Sequence, residues 1–107
     1  MADEITVNNW FNTTDIKVYQ AAVDNNGKWS KMGDGTKLVG KESGKFQVKY
    51  QGFAITYYPT AGVEKDLGYC AACCVPYLYI LDVFDIAAGN MPHGYYDSWR
   101  AAWNNNP

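Results

Sequence analysis

The chain lacks the motifs on which most enzyme classes depend. Its 107 residues include a single histidine, with no nucleophile elbow and no glycine-rich phosphate loop. That pattern reads as non-enzymatic. No run of about 20 apolar residues is present, so no helix is expected to span a membrane. Met1-Ala2-Asp3-Glu4 is not a basic segment leading into an apolar run, so no signal peptide is expected. The lysines alternate singly and never cluster as nucleic-acid arms do, and no RNA-stacking motif of aromatic and basic residues is present, which argues against a nucleic-acid partner. Three cysteines are too few and too odd in number for a disulfide framework, and at least one lies outside any internal pair. That favours a reducing compartment, either cytoplasmic or followed by non-conventional export.

What the chain has in excess is aromatic surface. Aromatics make up 16% of the residues, with nine Tyr and four Trp, and nine Asn accompany them. Tyr and Trp combine a broad apolar face with a polar handle, which suits both β-sheets and binding surfaces. The net charge of −2 is unevenly spread: residues 17–49 carry a balance of +4, and residues 50–107 a balance of −3. The lysine-rich stretch reads either as a solvated sheet face that discourages edge pairing or as a patch for an anionic partner. The length is that of one domain.

The clearest local signal is residues 45–59. Phe46, Val48 and Tyr50 alternate with Lys45, Gln47 and Lys49; after Gly52, Phe53, Ile55 and Tyr57 resume the alternation. A period of two places apolar groups on one strand face, and the glycine predicts a hairpin between the two strands. Further strands are expected at residues 5–7, at 15–23 (closed by the turn Asp24-Asn25-Asn26-Gly27), around Trp29 and Met32 up to Gly33-Asp34-Gly35, and at Leu38-Val39. Residues 40–44 read as a turn and residues 60–68 as a polar loop. Tyr69-Cys70-Ala71-Ala72-Cys73-Cys74-Val75 reads as a buried strand or helical turn, and residues 77–86, apolar on both faces, as a central strand. Asp97 or Ser98 would cap a short C-terminal helix. Seven or eight short strands with regular turn signals predict an all-β fold, an antiparallel β-sandwich.

Three groups of residues could carry chemistry. Cys70, Cys73 and Cys74 with His93 have the donor types of a zinc site. Adjacent cysteines on a strand face opposite ways, however, so the plainer reading is cysteine as a small core hydrophobe. Asp82 and Asp85, three apart on one strand, do not pair for acid–base work; with Asn90 their oxygens could supply calcium, but no loop has the alternating acidic spacing of a dedicated site, and no cofactor is expected. The third group is aromatic and amide. Trp10 with Asn9 and Asn12 shares one turn, and Asn90, Tyr95, Tyr96 and Trp99 share the C-terminal stretch. Aromatic faces pack on the C–H faces of sugar rings, and Asn amides both donate to and accept from hydroxyls. The same residues would serve equally as core filling and ordinary turns.

Ile5-Thr6-Val7-Asn8-Asn9, Ile16-Lys17-Val18-Tyr19, Trp29 and the aromatic stretch at 46–58 resemble the start of small β-sandwich lectins. In length and aromatic content the chain is similar to the legume-lectin-like hemagglutinin of slime moulds. That resemblance implies a non-enzymatic sugar-binding sandwich, with a glycan or glycoprotein as partner and a homodimer supplying multivalency. It carries over no particular binding residue. Val75-Pro76-Tyr77-Leu78-Tyr79 is similar to a segment of actinoporin-type cytolysins. It implies the alternative of a membrane-surface protein using Tyr, Trp and the lysine face, although the chain departs from that family in length and lacks its amphipathic N-terminal helix. A protein-interaction or inhibitor module is the third reading.

Overall fold

The computed structural model describes residues 4–74 and 83–86. They form seven strands: β1 (Glu4–Asn9), β2 (Ile16–Val23), β3 (Trp29–Leu38), β4 (Ser43–Gln47), β5 (Gly52–Thr60), β6 (Val63–Ala71) and β7 (Val83–Ile86). Two sheets result, with strand orders β4-β1-β7 and β3-β2-β5-β6. Every pairing is antiparallel except that of β1 with β7. This is the all-β sandwich that the residue pattern predicts. The proposed C-terminal helix lies outside the described residues.

Alternation sets the sheet faces. Ile5 and Val7 of β1, Ile16 and Val18 of β2, Phe53 and Ile55 of β5, and Phe84 and Ile86 of β7 point between the sheets and form the main core with Leu38 and Cys70. Phe53, fully buried, is its centre: its ring meets Phe46 of β4 at 6.2 Å and Phe84 of β7 at 6.0 Å, both edge to face. One β5 side chain thus touches both β4 and β7 of the opposite sheet. Burying a ring of this size contributes roughly 2–3 kcal/mol.

Several sequence expectations are corrected. Residues 45–59 do not form a hairpin, because β4 pairs with β1 and β5 pairs with β2 and β6. The segment between them crosses from one sheet to the other. The strand at Trp29 does not stop at Gly33-Asp34-Gly35; β3 continues to Leu38, and those three residues bulge opposite Tyr19 alone. Both glycines there have positive φ, 82° and 79°. The polar stretch 60–68 is not a loop but most of β6, joined to β5 by a tight turn at Ala61-Gly62. The turn predicted at 40–44 ends sooner, since β4 begins at Ser43. Of the strand expected at residues 77–86, residues 77–82 lie outside the described residues; residues 83–86 form β7, buried on both faces and the edge of its sheet among the described residues. The turn at 24–27 stands as expected: Asp24 Oδ1 accepts from Asn26 and Lys28 N–H at 2.8 and 2.9 Å.

The four-stranded sheet carries a second apolar cluster on its outer face, made of Tyr19, Ala21, Trp29, Ala54 and Ala71. Small residues on β2, β5 and β6 leave room for Trp29, which stacks on Tyr69 at 5.8 Å. Lys17 and Lys31 lie over the Tyr19 ring at 5.9 and 5.3 Å. The Tyr19 hydroxyl donates to Glu64, and Thr56 donates to the same carboxylate oxygen at 2.6 Å. These donors, Thr56 first, hold Glu64 below its ordinary value. Burial, then the bond to Glu64, pushes the Tyr19 phenol from 10.0 up to about 12. A raised phenol contributes stability that is whole below pH 10 and is lost as the pH rises toward 12. Absorbance titration of the folded protein should show a phenol ionising near pH 12, and Tyr19→Phe should remove that step. A late step that persists in the variant would rule out this contact.

Candidate functional site

At one end of the sandwich the β1–β2 loop (residues 10–15) packs against the β3–β4 loop (residues 39–42). Asn9, the last residue of β1, ties them together. It is 2% exposed, and its Nδ2 donates to the carbonyls of Thr14 at 2.9 Å and of Leu38 and Val39 at 3.1 Å. Its Oδ1 accepts from Phe11 N–H at 3.0 Å. Backbone bonds complete the junction, from Asn9 N–H to Glu42 O at 2.9 Å and from Lys41 N–H to Phe11 O at 3.0 Å. The approach is close enough that a β-carbon on Gly40 would lie 2.3 Å from the Asn12 carbonyl oxygen. Lys41 has a φ of 68°, the left-handed conformation that costs a non-glycine residue about 1 kcal/mol or more. The junction imposes it: Lys41 N–H is held by Phe11, and Glu42 Oε1 accepts from Val39 N–H at 3.0 Å.

Trp10 stands on this junction. Its backbone N–H donates to Ile86 O at 2.9 Å, and its indole Nε1–H donates to Asp85 Oδ1 at 2.6 Å. The row across the three-stranded sheet runs Ser43, Asn8, Asp85 by register, and its side chains form a chain of bonds. Ser43 Oγ donates to Asn8 Oδ1 at 2.6 Å, and Asn8 Nδ2 donates to Asp85 Oδ1 at 2.9 Å. Asp85 is 1% exposed, and its Oδ2 has no hydrogen-bond partner among the described residues. A buried carboxylate that takes two N–H donors on one oxygen is a firm anchor. The indole is thereby fixed by its edge, half-buried, with the Lys41 ammonium 5.7 Å from its ring centre. Asn12 is exposed in the same loop.

Of the residues that the sequence put forward, Asn9, Trp10 and Asn12 come together here, in different roles. Trp10 and Asn12 reach the surface; Asn9 lies beneath them with its amide turned to carbonyls. Asn90, Tyr95, Tyr96 and Trp99 lie outside the described residues. Sequence reasoning missed Lys41 and Ser43, which β4 brings alongside β1, and it set Asp85 aside for calcium when its carboxylate anchors an indole.

The described residues do not fit a metal. Among them no three His, Cys, Asp or Glu side chains gather as ligands. Cys73 and Cys74 are joined to each other by a disulfide, and Cys70 is buried in the core, so thiolate donors for zinc are not assembled. His93 lies outside the described residues. For calcium they supply one buried carboxylate, Asp85, where six to eight oxygens are needed; Asp82 and Asn90 are not among them. No helix of the described residues is long and apolar enough to cross a membrane. No protein-family model, curated protein or solved structure matches the chain.

Proposed function

We propose that the protein is a non-enzymatic carbohydrate-binding protein, and that Trp10 is its stacking platform. The observation that supports this is the fixed indole. Its N–H is held by Asp85, so the ring face does not have to be ordered when a ligand arrives, and pre-ordering an aromatic removes part of the entropic cost of binding. Polar residues for hydroxyls stand around the ring: Asn12, Lys41 and Ser43 are exposed, with the Lys41 ammonium over the indole and the Ser43 Oγ donating to Asn8 Oδ1. An apolar ring face beside a few donors and acceptors is the usual composition of a small-ligand site. The strained Lys41 backbone points the same way, since such conformations gather at binding sites.

A glycan array on the purified chain, followed by titration calorimetry with the best hit, tests the reading. Trp10→Ala should weaken the sugar at least about tenfold, the order expected for losing a buried or stacked aromatic contact. Trp10→Phe keeps a ring without the anchoring N–H and should fall between. A blank array would sink the proposal, as would undiminished affinity in Trp10→Ala.

A further inference from the structure

Just past the end of β6 the chain carries a pair of adjacent cysteines that the Trp10 site does not use. Cys73 and Cys74 are joined to each other by a disulfide. Cys73 is half-buried and Cys74 is exposed. The turn that carries them is held by bonds of its own. The N–H groups of Ala72 and Cys73 both donate to Gln51 O at 3.0 Å, and Gln51 Oε1 accepts from Val23 N–H at 3.4 Å. The ends of β2 and β6 thus meet at the residue before β5 without help from the sulfur atoms.

A disulfide between neighbours does little for the stability of a fold. It encloses no intervening residue, so it takes almost no freedom from the unfolded chain, the main route by which a disulfide stabilises. The backbone here also bears a cost, because Cys74 sits at a φ of 65°, in the left-handed region that disfavours a residue with a β-carbon. An exposed disulfide that does not staple its fold is the kind that exchanges with thiols. Reduction also brings a contact that the oxidised pair lacks. Cys73 Sγ lies 3.5 Å from the Tyr50 carbonyl oxygen; a disulfide sulfur has no proton to give, whereas a thiol donates there. The third cysteine is a control within the same chain: Cys70 is fully buried in the core, where a thiol is inert.

We propose that Cys73–Cys74 is a thiol–disulfide exchange site, reduced in the folded protein by small thiols of the glutathione class that enter at Cys74. Access sets the order of events, since Cys74 is the exposed sulfur of the pair. The incoming thiolate attacks Cys74 Sγ; the S–S bond breaks, and its electron pair leaves on Cys73 Sγ, which takes a proton from water and donates it toward Tyr50 O. A second thiolate attacks the mixed disulfide at the sulfur of the first small thiol, and Cys74 departs and is protonated. The protein gains two electrons and two protons, and the small thiols leave as their own disulfide. Reduction frees Cys74 to leave the left-handed region, while the bonds to Gln51 stay. The direction of the chain at Cys74 then follows the redox state, and the two sheets do not.

Incubation of the native chain with reduced glutathione, followed by an acid quench, alkylation and peptide mass spectrometry, tests this. Cys73 and Cys74 should become open to alkylation together, and Cys70 only after denaturation. Glutathione trapped on the chain should sit on Cys74 at least about tenfold more often than on Cys73. With oxidised glutathione, Cys73→Ser should take the adduct on Cys74 at least about tenfold faster than Cys74→Ser takes it on Cys73. Reduction should leave the circular dichroism unchanged, move the melting temperature by less than about 5 °C, and quicken amide hydrogen exchange at Cys74 but not in β2 or β5. A bond that yields only once the chain is denatured overturns the proposal, as do adducts without preference for Cys74, exchange at Cys74 that reduction leaves unchanged, or a larger fall in melting temperature. A chain that still carries thiols at both positions after exposure to air overturns it as well.

Discussion

Alanine at position 52 is expected to destabilise the sandwich by about 3 kcal/mol, the upper part of the range for overpacking a close-packed interior. A β-carbon there would lie 2.2 Å from the Cys70 carbonyl oxygen and 2.9 Å from the Trp29 ring. Neither neighbour yields easily. The Cys70 carbonyl belongs to β6, whose register pairs Gly52 with Ala71 and Phe53 with Cys70. Trp29 is 6% exposed and stacked on Tyr69. Relief requires β5 and β6 to separate at their paired end or the indole to leave its seat. For a domain of this size 3 kcal/mol corresponds to a fall in melting temperature of roughly 10–20 °C, readable by circular dichroism. A Gly52→Ala chain melting within a few degrees of the parent would mean that β5, β6 and Trp29 do not meet this closely.

Gly52 also shows where reading the sequence reaches its limit. Alternation at Phe46, Val48, Phe53 and Ile55 identifies strands and their faces, because side-chain direction is local. It does not identify partners. A glycine between two alternating runs suits a hairpin and a crossover equally, and here the crossover won because Phe46 and Phe53 face each other from opposite sheets. Residues 63–66 were hidden for a different reason. Val63, Glu64, Lys65 and Asp66 are all exposed, so no buried face left a period in the sequence, and the strand exists because β5 pairs with it. Gly33 and Gly35 carried a readable signal, since glycines inside a strand mark bulges as often as ends.

The site was legible to the same extent. Trp10 and Asn12 are near neighbours in the chain, so one loop sufficed to group them. The carboxylate that fixes the indole is 75 residues away, and it arrives through the parallel pairing of β1 with β7, a long-range choice with no local trace. Lys41 and Ser43 come through the antiparallel pairing of β1 with β4 in the same manner.

Asn9→Ala is the second change expected to have a large effect, and it separates scaffold from ligand contact. The amide serves three carbonyls and one backbone N–H inside the loop junction. Alanine would leave those groups facing a small apolar void. Each buried polar group without a partner costs about 1–3 kcal/mol, and relaxation of the surface loops recovers part, so a loss of about 2–4 kcal/mol in a denaturant titration is expected. Asn9→Asp should be no better, since a carboxylate would face three carbonyl oxygens in place of N–H donors. The same junction holds Trp10 and strains Lys41, so sugar affinity should fall together with stability. Trp10→Ala should instead lose affinity with a much smaller loss of stability, because the half-exposed ring leaves less apolar surface to forfeit. The two variants therefore differ in the ratio of the two effects. An Asn9→Ala chain as stable as the parent yet blind to sugar would return the amide to the ligand and open the loop junction to solvent.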